Sequence, residues 1–127
     1  MKRKIERVLV EWKSKKTGRM PLIMNGARQV GKTYILRDFG NRHYKKTVYV
    51  NLESNLAVAS YFAEDIRPER LLRYLEAYVG HAIVADKTLI IFDEIQSCER
   101  ALTALKYFCE ETPQYHGVTI TYRLIYH

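Results

Sequence analysis

Ile5, Val8, Leu9 and Trp12 recur at i, i+3, i+4 and i+7 among lysines and arginines, which predicts an amphipathic helix over residues 4–16. A polar break around Gly18 follows, and Pro21 introduces an apolar run at residues 22–25, read as the first strand. Residues 32–39 predict a helix closed near Gly40. The β-branched and aromatic run TVYVNLE, residues 47–53, predicts the second strand. Ser54 or Asn55 is placed to cap a short helix reaching Phe62, and Pro68 with Glu69 opens a longer one in which Leu71, Leu72, Leu75 and Val79 share a face. TLIIFDE, residues 88–94, is apolar up to two acids, as expected for a parallel strand buried on both faces. Ser97 is expected to cap a last helix with Leu102, Leu105, Phe108 and Cys109 inward, stopped by Pro113. Strands alternating with helices predict an α/β fold, a parallel sheet covered on both faces.

Composition narrows the class. The 127 residues are 47% hydrophobic and 28% charged, enough for one domain that removes about two-thirds of its unfolded surface from water. No apolar run nears the roughly 18 residues that a membrane span needs. Glu6 and Glu11 interrupt the apolar positions of the N-terminus, against a secretory signal, so a cytoplasmic location with no membrane partner is expected. Cys98 and Cys109 fall on one predicted helix and read as free thiols, while His43, His81, His116 and His127 form no pair at ligand spacing. The net charge is +7, and nine of the 21 basic residues lie within the first 28 positions. Such a basic helix suits a nucleic acid, and it suits a plain solvated face as well.

The chemistry sits in NGARQVGKTY. Gly26, Ala27, Arg28, Gln29, Val30, Gly31, Lys32 and Thr33, followed by Tyr34, fit the pattern of a glycine, four residues, then glycine, lysine and Ser or Thr, between a predicted strand and a predicted helix. Glycines let consecutive backbone N–H groups converge on an anion, aided by the positive end of the following helix. Lys32 would then reach the β- and γ-phosphates, and the Thr33 hydroxyl would ligate magnesium. Asp93 and Glu94 end the third strand, where open α/β sheets bind ligands. There Asp93 would serve the magnesium and Glu94, with Lys32 a catalytic residue, would activate water. Arg28 and Gln96 are read as solvated.

NGARQVGKTY, VYVNLE and LIIFDEIQ together resemble bacterial and archaeal ATP-binding proteins of the AAA superfamily, whose N-terminal ATPase domain precedes a region often described as nuclease-like. The resemblance covers roughly residues 1–116. It implies a P-loop NTPase sheet of order 5-1-4-3-2, ATP and Mg2+ as cofactors, and a tendency to form oligomers. The chain is then a single partial ATPase domain: a basic helix and break at 1–19, a nucleotide-binding core at 20–116 and a divergent tail at 117–127. In the tail, Val118, Ile120, Tyr122, Leu124 and Tyr126 alternate with Thr119, Thr121 and Arg123, the pattern of a half-exposed strand. Two expectations follow for it: a truncated or frameshifted ATPase, or a tail that still fills the central slot of the sheet. Functionally, the expectations are Mg-dependent ATP hydrolysis, an ATP-binding fragment without useful turnover, or, on charge alone, a nucleic-acid module.

Overall fold

A computed structural model describes residues 2–15, 19, 22–25, 31–64 and 67–121. Among these residues, five α-helices and four strands follow in order: α1 (Lys2–Ser14), β1 (Leu22–Asn25), α2 (Lys32–His43), β2 (Lys46–Asn51), α3 (Leu56–Glu64), α4 (Pro68–Val79), β3 (Thr88–Asp93), a 3-10 turn (Ile95–Ser97), α5 (Glu99–Glu111) and β4 (His116–Thr121). The strands form one sheet of order β1-β4-β3-β2, and every pairing is parallel. Among the described residues no helix is long and apolar enough to cross a membrane.

Alternation along the strands divides the core in two. Leu89 and Ile91 of β3 with Val118 and Ile120 of β4 pack under Leu9 and Trp12 of α1 and Leu36 and Phe39 of α2. Ile90 and Phe92 face the other way, against Val58, Phe62, Leu71, Leu75, Leu105 and Phe108 of α3, α4 and α5. Both faces are covered, which is why β3 tolerates a nearly unbroken apolar sequence. Of the apolar stripe expected on α1, Leu9 and Trp12 are buried while Val8 is 53% exposed. The buried Arg19 ties α1 down: its guanidinium donates to the carbonyls of Trp12 (3.3 Å), Lys13 (3.1 Å), Lys15 and Pro113.

Two expectations about the helices change, and one open alternative is resolved. The second helix does not close at Gly40 but runs on to His43, and the glycine answers to packing instead: a Cβ there would lie 2.9 Å from Thr47 Cγ2 and nearer still to its Oγ1. The last helix is not capped by Ser97, which lies in the 3-10 turn; Cys98 occupies the position before α5. Of the two candidate caps for α3, Asn55 is the one used, its Oδ1 accepting the Val58 N–H at 3.1 Å.

At the start of the tail the expectation of a strand filling the central slot holds, and the reading of it as half-exposed is the largest change. Residues 116–121 take the central slot between β1 and β3, and all six are buried, so the alternation there does not mark a half-exposed strand. It marks one face of large side chains and one of small ones: a Cβ on Gly117 would stand 3.3 Å from Leu105 and 4.0 Å from Phe108, so α5 lies almost on the backbone. The buried hydroxyls of Thr119 and Thr121 find acceptors in the Leu22 carbonyl at 3.4 Å and the Gln96 side chain at 3.2 Å. Tyr122, Arg123, Leu124 and Tyr126 lie outside the described residues.

Candidate functional site

Because all four strands are parallel, Asn25, Asn51, Asp93 and Thr121 end at one edge of the sheet, and α2, which follows β1, starts from that edge. Gly31 begins α2 with φ 68° and ψ 29°, a left-handed conformation that costs about 1–2 kcal/mol for a residue with a Cβ. Among the described residues nothing lies within 4 Å of where that Cβ would sit, so the glycine answers to backbone conformation. Lys32 and Thr33 follow in the first turn of α2, both half-buried, while Tyr34 is 66% exposed. Gly26, Ala27, Arg28, Gln29 and Val30 lie outside the described residues.

The Thr33 hydroxyl donates to Asp93 Oδ2 at 3.0 Å. Asp93, only 3% exposed, also accepts the Glu94 N–H on Oδ1 at 2.8 Å, and the Tyr49 hydroxyl donates to Oδ2. Burial first, and then the bond to Asp93, pushes the Tyr49 phenol up to about 12, so it is a proton donor at neutral pH. The Arg37 guanidinium, one helical turn beyond Thr33, lies 4.6 Å from the centre of the Tyr49 ring.

Glu94 has φ 57°, one of two non-glycine residues with positive φ among those described, the other being Asp86. The left-handed step turns the chain abruptly from β3 into the 3-10 turn, where the Ser97 N–H bonds the Glu94 carbonyl at 3.0 Å. Glu94 is 6% exposed, and its Oε1 accepts Gln96 Nε2 at 2.6 Å. Gln96 Oε1 in turn accepts the Thr121 hydroxyl, so Gln96 is a bridge between β3 and β4 rather than a solvated side chain.

Of the residues singled out from sequence, Thr33, Asp93 and Glu94 therefore meet at one edge, with Lys32 adjoining. Tyr49 and Thr121 join them unforeseen. The only sequence signal was their place at or near the C-terminal ends of strands, which does not say which side chains turn toward Asp93. A cavity of about 900 Å3 lined by Tyr61, Arg67, Arg70, Arg73, Tyr74 and Glu111 shares no residue with this cluster.

A hydroxyl and a carboxylate within hydrogen-bond distance are hard oxygen ligands of the kind magnesium takes, one or two from protein and the rest from water and phosphate. Among the described residues no group of three or more His, Cys, Asp or Glu could hold a metal. Thr33 and Asp93 thus fit a cation that shares its ligands with a bound phosphate, not one held by protein alone.

Comparison with curated proteins returns no match. The structure of PCH-2 from C. elegans is similar over 98% of this chain and 37% of that one, with a TM-score of 0.56 and 14% identity, which is a likeness of fold. The chain spans little more than a third of that protein's length. The family model described as an AAA domain matches residues 18–121, running past His116 through the whole of β4. The chain therefore belongs to the AAA-domain family, a family of nucleotide-binding ATPases.

Proposed function

We propose that this chain binds ATP with Mg2+ and hydrolyses it, using Lys32, Thr33, Asp93 and Glu94. The observation that supports this most is the 3.0 Å bond from Thr33 to Asp93, which joins residues 60 apart at the edge where open α/β sheets hold ligands. In this reading Gly26 to Gly31 give backbone N–H groups to the phosphates, with the positive end of α2 behind them, and Lys32 contacts the β- and γ-phosphates. Thr33 and Asp93 hold the cation, which neutralises charge on the phosphates when bound. Glu94 orients the attacking water and takes its proton, and Gln96 sets the direction of the Glu94 carboxylate.

Glu94→Gln is expected to retain Mg-ATP binding while turnover falls at least about 100-fold, the lower range for a general base. Equal turnover would refute the role of Glu94. Lys32→Ala should weaken ATP binding by about 1.5–3 kcal/mol, the range for hydrogen bonds to charged groups.

A second reading, ATP binding without useful turnover, has its own support: the Glu94 carboxylate is buried and engaged by Gln96 at 2.6 Å. Under it, calorimetry shows Mg-ATP binding and phosphate release stays at background. The AAA family also suggests oligomers. A nucleic-acid partner rests on basic residues of α1 such as the exposed Lys4 and Arg7, and is tested by salt-dependent DNA binding before and after their replacement.

A further inference from the structure

We propose that Tyr49 is a positioning residue for Asp93: its phenol holds the carboxylate in the orientation that presents it, beside Thr33, to magnesium. This rests on the reading of Thr33 and Asp93 as cation ligands.

The register of β2 against β3 sets Tyr49 opposite Ile91 and Asn51 opposite Asp93, so Tyr49 starts two residues below the acid. A strand rises about 3.3 Å per residue, and a phenol is long enough to cover that offset. The ring is fixed before it reaches Asp93. It packs against the cluster that holds Leu36 and Phe39 of α2, and Arg37 from the same helix lies over its face.

Among the described residues Asp93 receives three donors: the Glu94 N–H on Oδ1, and the hydroxyls of Thr33 and Tyr49 on Oδ2. A cation on Thr33 Oγ1 would take one of that oxygen's lone pairs, so the Thr33 donor moves with the ion. The other two donors are independent of the ion, one on each carboxylate oxygen, and between them they set the plane of the group before it binds. Without the Tyr49 hydroxyl the Glu94 N–H is the one ion-independent donor left among the described residues, and one such donor permits rotation about Cβ–Cγ. Partners that orient metal ligands in this way typically account for about 10- to 100-fold in metal affinity.

Tyr49→Phe removes the hydroxyl and keeps the ring. Calorimetry with a non-hydrolysable ATP analogue, in EDTA and then over a magnesium titration, separates the steps. The expected result is analogue affinity within about twofold of wild type in EDTA, with magnesium affinity reduced roughly 10-fold or more. Unchanged magnesium affinity, or equal losses with and without the ion, overturns the proposal and leaves Tyr49 a packing residue. Wild-type protein whose analogue affinity does not respond to magnesium overturns instead the reading of Thr33 and Asp93, and this role with it. Should the Phe variant fail to fold, 3-fluorotyrosine at position 49 retains the hydroxyl. Its fluorine signal is expected to shift when magnesium joins the bound analogue; the absence of a shift overturns the proposal.

Discussion

His116 shows how one side chain couples folding to pH. It is 2% exposed, with Nδ1 2.6 Å from the Tyr44 hydroxyl and Nε2 2.9 Å from Asp86 Oδ1, and Trp12 and Tyr44 meet its ring edge-on. An ionised Asp86 can only accept, so Nε2 carries the proton and Nδ1 accepts from Tyr44; the neutral ring is fully satisfied. Burial pushes the His116 pKa below 6.5, with Arg19 and Lys13 adding to the effect, against the pull of Asp86. The unfolded chain therefore takes up this proton at a higher pH than the folded one. The stability it contributes is complete above about pH 6.5 and declines as pH falls below that, by at most about 1.4 kcal/mol per pH unit for one group. Melting temperature should fall between pH 7.5 and 5.5, and His116→Asn should flatten the decline; an unchanged slope in the variant would assign it elsewhere. Glu6, whose carboxyl is lowered from 4.5 chiefly by its bond to Arg42, acts in a more acid window.

The contact between α2 and β2 turns on Gly40. On an exposed helix, glycine to alanine gains about 1 kcal/mol. Here the new methyl would run into the Thr47 side chain, whose Oγ1 is buried with no hydrogen-bond partner among the described residues. Overpacking of that kind costs about 1–3 kcal/mol, so Gly40→Ala is expected to lower stability in denaturant titrations. Pairing it with Thr47→Ala, which removes both crowded atoms, should restore most of the loss; additive losses would place the strain elsewhere. The extension of α2 through Gly40 and the burial of β4 were misread for one reason. A glycine inside a helix and an alternation of large and small residues each have a local meaning and a packing meaning, and only a neighbouring element selects between them. Lys32 and Thr33, by contrast, were legible because the loop pattern is defined by local backbone demands.

The fold brings side chains of α2, β2, β3 and β4 together at one edge of the sheet between two cores, where the proposed nucleotide would contact them. A ligand that binds only the folded state stabilises it by about 2.7 kcal/mol at 100 times its dissociation constant. For a chain of this length that is a rise on the order of 10 °C in melting temperature. Scanning fluorimetry should show it with Mg-ATP and show less with ATP in EDTA. No shift in either condition would count against nucleotide binding.

The elements and the acids ending β3 follow from periodicity and turn chemistry, because each is specified within about ten contiguous residues, and the parallel sheet is expected from their alternation. The meeting of Thr33 with Asp93, the arrival of Tyr49 on the same oxygen, and the bridge from Glu94 through Gln96 to Thr121 are of another kind. They depend on strand register, on a left-handed turn at Glu94 and on which strand fills the centre of the sheet. Those are relations between segments far apart in the chain, and they exist only once both faces of the sheet have been packed.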